Sequence, residues 1–204
     1  ETVSPWYVLL EMADSTDIAT QTMLETAFEQ GLMTDAVVAQ NQSQRAELWA
    51  LRENMSESQK FEGGSIKHEV AVPVSALPQF IAEASTALEA FMPGTRLCCF
   101  GHMGDGNMHF NVSQPIGMDK KTYLDQWHPM NRVIHDIVAK HKGSFSAEHG
   151  VGVLKREDMT RYKSEIELDL MRSMKHALDP KGILNPGRMY AQFALVIAAT
   201  ALLS

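Results

Sequence analysis

Cysteine is almost missing from this chain of 204 residues: there are two, Cys98 and Cys99, side by side. Neighbours on a strand point to opposite faces, so a structural disulfide between them is not expected. Such usage suits a reducing, cytoplasmic compartment. Positive charge is also short. A net charge of −7 gives no support to nucleic-acid binding, which favours a basic stripe. Long apolar runs are absent. The nearest, Phe193–Leu203, falls below the ~20 residues a membrane span needs. It reads as a terminal helix docked on a core or a partner, within an apolar tail over 191–204. No GxGxxG follows a strand, and no Gly-rich loop offers to cradle a phosphate. No basic n-region precedes an apolar run at the start, so the sequons at Asn41, Asn54 and Asn111 carry no weight. Glu1 is not a methionine, and Trp6-Tyr7-Val8-Leu9-Leu10 reads as a core strand already under way. An excised part of a longer polypeptide is the expectation.

What is present suffices for a core, since 45% of residues are hydrophobic. Strands are expected over 5–12, 35–40, 66–72 and 144–147, with a hairpin over 95–113. Helices are expected over 16–30, 43–60, 75–91, 120–141, 155–163 and 164–178, from apolar spacing and from stops such as Gly31 and Asp179-Pro180. Asp14 or Ser15 would cap the first helix. Strands alternating with helices would also fit a doubly wound parallel sheet. The clearest strand pair is antiparallel, so the expected fold is α+β: an antiparallel sheet of ferredoxin-like units covered by helices, with further helices at the C-terminus. There is no repeat and no linker long enough to split residues 1–190.

The most informative segment is CFGHMGDGNMHFNV, 99–112. Asp105-Gly106 is a strong signal for a two-residue type I′ turn, which needs φ > 0 at both positions. That loop would set His102 opposite His109 and Phe100 opposite Asn111. Opposed Cβ atoms lie about 4.5–5.5 Å apart, near enough for two imidazoles to share a metal ion. Asn111 lies two residues after His109 and so points from the same face. A three-residue loop would change the register, and two histidines can share a face by chance.

Glu148-His149 follows a strand in a Gly-flanked loop. His102, His109 and Glu148 form a three-ligand set with an open position, the pattern of a catalytic zinc site, and one that suits other first-row divalent ions. His149 is either a fourth ligand or a general base. Neighbouring side chains usually diverge, which favours the base. Arg52 and Ser56 are four apart on an expected helix and share a face, where guanidinium and hydroxyl can hold a carboxylate. Lys67 opens a strand after Gly63-Gly64. Taken alone, Arg52 and Lys67 read more readily as surface residues. His68, His128, His135, His141 and His176 have no comparable context.

Several ordered pieces carry a family resemblance. They are Leu48-Trp49-Ala50-Leu51-Arg52-Glu53, Lys67-His68-Glu69-Val70-Ala71-Val72-Pro73, Gly101-His102-Met103-Gly104-Asp105-Gly106-Asn107-Met108-His109, Ala147-Glu148-His149-Gly150-Val151-Gly152, and the stretch from Leu178 to Gly187 that ends in Asn185-Pro186-Gly187. In order and spacing the chain resembles the C-terminal domain of FAD-linked oxidases. Within the vanillyl-alcohol oxidase superfamily it is similar to the D-2-hydroxyglutarate dehydrogenase, D-lactate dehydrogenase and glycolate oxidase subunit group. The resemblance implies oxidation of a D-2-hydroxy acid to a 2-oxo acid, with hydride transfer to FAD held mainly by a domain upstream of Glu1. It implies that His102, His109 and Glu148 ligate a divalent metal such as zinc, and that Arg52, Ser56 and Lys67 grip the substrate carboxylate. Asn111 would line the pocket, His149 would be the base, and Asn185 would approach the flavin. An electron acceptor is implied as a partner; a homodimer is left open. Without its flavin domain the fragment would be silent. Two departures are Arg188, where the family usually has lysine, and the long apolar tail. Rival readings are a metal-dependent hydrolase using the same ligands and a non-catalytic ferredoxin-like domain that binds a small acid.

Overall fold

The computed structural model describes residues 3–13 and 17–188. The apolar tail over 191–204, and Asp14 and Ser15, lie outside the described residues. The chain divides into two compact units, Glu1–Phe61 and Glu62–Ser204.

In the first unit, residues 5–12 and 35–40 form no strand. Alternating apolar residues make a strand only where a second backbone takes up their N–H and C=O groups. Among the described residues nothing pairs with these two segments. Trp6, Tyr7, Val8 and Val37 are exposed accordingly. Helix α1 spans Asp17–Glu29. The expected helix over 43–60 is divided: α2 runs Gln42–Glu53, α3 runs Met55–Ser58, and a 3-10 turn follows from Gln59. Asn41 caps α2 by accepting from the backbone N–H of Gln44 at 3.0 Å. Arg45 grips Glu11 through Nε at 3.2 Å and Nη2 at 2.6 Å.

The second unit is α+β, as expected. Its strands are β1 Ser65–Ala71, β2 Arg96–His102 and β3 Asn107–Ser113. They form one antiparallel sheet in the order β1-β3-β2. The expected strand over 144–147 shrinks to a single bridge between Ala71 and Ser144. The helices are α4 Leu77–Phe91, α5 Lys120–Leu124, α6 Trp127–Lys140, α7 Arg156–Tyr162 and α8 Glu165–Leu178. Helix α4 begins with Pro in its first turn, where no N–H is needed. It buries Leu77, Phe80, Ala84 and Leu88, one stripe at helical spacing. Helix α6 buries Met130, Ile134, Ile137 and Val138. These two helices pack against each other and against one face of the sheet, where Ile66, Val70, Met108, Phe110 and Val112 meet them. Each such side chain contributes roughly 1.5–3 kcal/mol by leaving water. Helix α8 starts with a capping box between Ser164 and Glu167.

The hairpin register differs from the expectation. Its connection is a 3-10 turn, Met103–Asp105, closed by Gly106 at φ 73°. His102 therefore pairs with Asn107, Phe100 with His109 and Cys98 with Asn111. Long-range bonding decides the turn: the Val72 N–H donates to the Gly106 carbonyl at 3.0 Å. A Cβ at Gly106 would strike the Val72 carbonyl, so glycine is required there by space as well as by φ.

Candidate functional site

With α4 and α6 on one face of the sheet, alternation leaves the other face to Lys67, Glu69 and Ala71 of β1, Asn107, His109 and Asn111 of β3, and Cys98, Phe100 and His102 of β2. The register places Lys67 opposite Asn111 and Glu69 opposite His109. His109 stacks on Phe100 with ring centres 5.0 Å apart.

Over this face hangs the loop that carries Glu148 and His149. The carboxylate of Glu69 clasps it. Its Oε1 accepts the backbone N–H of Glu148 and, at 2.9 Å, that of His149. The Asn107 side-chain amide donates to the Glu148 carboxylate. The His149 ring lies 6.0 Å from the His109 ring, and its Nδ1 is 3.4 Å from Glu69 Oε2. The Lys155 ammonium is 3.7 Å from the same oxygen. It donates to the Phe145 carbonyl at 2.9 Å. Burial holds the Lys155 pKa below its ordinary value, and the nearby carboxylates of Glu69 and Asp158 oppose that fall.

The structure thus brings His109, Glu148, His149, Lys67 and Asn111 to one face. His102 is exposed at the end of β2, two residues beyond Phe100 and diagonal to His109. Ligand atoms of Glu69, Glu148 and His149 lie within 4.8 Å of one another, the one such cluster among the described residues. Arg52 and Ser56 fall on α2 and α3, separated by Asn54 rather than carried on one helix. Both are exposed, and the Arg52 guanidinium sits 6.0 Å from the centre of the Trp49 ring.

Asn185 belongs to the turn after α8. Asp179 accepts from the backbone N–H groups of Ile183 at 3.0 Å and Leu184 at 2.9 Å, and Lys175 adds an ion pair. That ion pair, with those donors, holds the Asp179 pKa low. The turn needs a left-handed residue, and Asn185 takes it at φ 45°. A groove of about 420 Å³ runs between this turn and the loop after His149, lined by Asn185, Arg188, Val151, Phe145 and Met171 among others.

Three residues of the site were missed by reasoning on the sequence: Glu69, Asn107 and Lys155. For the first two a signal exists. Glu69 is two residues after Lys67, and Asn107 two before His109, so strand alternation puts them on the face already singled out.

A family model for the FAD linked oxidases, C-terminal domain, matches residues 1–189. A D-2-hydroxyglutarate dehydrogenase of Stutzerimonas stutzeri is 36% identical over 194 residues, covering 94% of this chain and 42% of that protein. One from Xanthomonas citri pv. viticola is 35% identical over 191 residues, 92% of this chain and 40% of that protein. A mitochondrial D-2-hydroxyglutarate dehydrogenase of Arabidopsis thaliana is 34% identical over 185 residues, 89% and 32% of the two chains. An α+β unit whose open face gathers imidazole, carboxylate and ammonium groups is thus a C-terminal domain of the FAD-linked oxidase type. The chain belongs to the FAD-linked oxidase C-terminal domain family. It spans less than half the length of these relatives.

Proposed function

We propose that the chain supplies the substrate side of an FAD-dependent dehydrogenase that oxidises a D-2-hydroxy acid to the 2-oxo acid. The observation that carries this reading is the gathering of His109, His149, Glu148, Lys67 and Asn111 on one sheet face, within a chain matched along 1–189 by the family. The relatives are D-2-hydroxyglutarate dehydrogenases by name, which favours D-2-hydroxyglutarate as the acid. Nothing observed favours hydrolysis or a non-catalytic role.

Lys67 holds the substrate carboxylate by a charge-assisted hydrogen bond, and Asn111, opposite Lys67, orients the rest of the acid. His149 removes the hydroxyl proton at a ring nitrogen. The Cα–H bond and the O–H bond break, the C=O bond forms, and the electron pair leaves Cα as hydride. Bound FAD would supply the hydride acceptor, and Asn185 is the residue of this chain that would approach it. His102, His109 and Glu148 are a donor set suited to zinc or another first-row divalent ion, which would lower the pKa of the substrate hydroxyl. Two imidazoles of one hairpin face and a carboxylate held by Asn107 are the donor types that would hold it, while of the three only Glu148 belongs to the cluster of close ligand atoms seen among the described residues. An electron acceptor must reoxidise the flavin. The paired cysteines fit a reducing, cytoplasmic setting.

The test is a dye-linked assay of the complete polypeptide, flavin bound, against paired D- and L-2-hydroxy acids, before and after chelation. Turnover of one D-acid, lost on chelation and restored by a divalent ion, is expected. Equal turnover of both enantiomers, or none of any acid, refutes the proposal.

A further inference from the structure

We infer that Glu69 is the positioning residue of His149: its carboxylate fixes the backbone that aims the ring and accepts the hydrogen bond of an Nδ1–H, leaving Nε2 to face substrate. This rests on the reading of His149 as the base.

Glu69 is 5% exposed, while Glu148 and His149 are exposed. A buried carboxylate costs several kcal/mol unless donors surround it, so its donors indicate what it holds. Two of them are consecutive backbone N–H groups, of Glu148 and His149, on the single oxygen Oε1. Clasping both ends of one residue step fixes the plane of the peptide between them. That sets where the Glu148 and His149 side chains leave the loop.

The second oxygen is the telling one. Oε2 is buried and makes no hydrogen bond, yet His149 Nδ1 stands 3.4 Å from it and Lys155 Nζ 3.7 Å. An unpartnered buried acceptor aimed at a ring nitrogen asks for its proton. Bonds of this kind are commonly long before substrate binds and tighten afterwards. A neutral imidazole has one N–H, so a proton held at Nδ1 leaves the lone pair on Nε2. The Lys155 ammonium, which approaches the same oxygen, balances the carboxylate charge.

The test uses the complete polypeptide with flavin bound. Glu69→Gln keeps the volume and an oxygen for the two backbone donors, but turns an NH2 donor toward Nδ1. We expect kcat to fall roughly 10²-fold, with KM within about twofold and flavin content and melting temperature unchanged. Glu69→Asp keeps the charge and should recover at least a tenfold part of the loss. Adding Glu69→Gln to His149→Ala should cost nothing further, because both act on one group. Selective 15N-histidine spectra, with the His149 signal identified by its loss in His149→Ala, should show the Nδ1–H form in the native protein and the Nε2–H form in Glu69→Gln.

The inference is overturned by a Glu69→Gln enzyme within twofold of native kcat, by losses that multiply with those of His149→Ala, or by an Nε2–H ring in the native protein. That last reading does not depend on Glu69→Gln folding. It also separates the two claims: native turnover by His149→Ala refutes the assigned base, while the native ring form still decides whether Glu69 holds the Nδ1 proton.

Discussion

His68 and His109 lie on adjacent strands of one sheet and lead opposite lives. His68 points toward α4 and α6, is 1% exposed, and donates from Nδ1 to the Phe110 carbonyl at 2.9 Å. Burial pushes its pKa down to about 3, so it stays neutral. His135 joins it on that side, ring centres 6.0 Å apart, and burial with the nearby Lys155 charge brings it to about 4. His109 points the other way, half-buried, stacked on Phe100 and facing the Glu148-His149 loop. Residue type does not separate structural from chemical histidines here. Strand parity does, because it decides which face has helices over it.

The sharpest way to break this comparison is to unpack the covered face. Phe110→Ala removes a fully buried ring that stacks edge-on against Phe80. It should cost about 3–5 kcal/mol of unfolding free energy. Urea unfolding of the complete polypeptide checks this, and a loss under 1 kcal/mol would show that the covered face is not the core. On the open face of β1 the sign of the experiment changes. Lys67→Met, opposite Asn111 on the open face, should leave stability within about 0.5 kcal/mol. It should raise KM for the hydroxy acid roughly 10- to 100-fold, the worth of a hydrogen bond to a charged group. Unchanged KM would remove Lys67 from the substrate side.

A smaller effect follows from the buried histidines. Their folded pKa values lie below that of a free imidazole, so the unfolded chain binds protons first as pH drops. Stability is full above about pH 6.5 and declines as pH falls toward about 4 and 3, by at most about 1.4 kcal/mol per pH unit for each group. His68→Gln should flatten that decline by one proton. Unfolding free energies between pH 7 and 4.5 measure it, and parallel slopes for native and variant chains would show that His68 does not titrate on unfolding.

What the sequence made legible was parity more than position. The two-residue turn at Asp105-Gly106 gave a wrong register, because the Val72 bond to Gly106 is invisible to local turn preference. Yet the observed pairing differs by an even step, so His102, His109 and Asn111 kept the face assigned to them. Helices α4 and α8 were read well, since amphipathic spacing and caps are local, whereas the helix expected over 120–141 is divided into α5 and α6. Residues 5–12 and 35–40 were not, because a strand needs a partner that lies elsewhere in the chain. Glu69 sat inside a quoted motif and still went without a role. What it holds comes 79 positions later, and only the folded chain shows that a carboxylate there has two backbone donors to hold.

One measurement bears most directly on the claim that the open face oxidises a D-2-hydroxy acid. The complete polypeptide, anaerobic and flavin bound, is mixed with D- and L-2-hydroxyglutarate while flavin absorbance is followed. Bleaching by the D-acid alone, slowed by 10²-fold or more in His149→Ala, is the predicted result. Bleaching by the L-acid, or at native rate in His149→Ala, would contradict it.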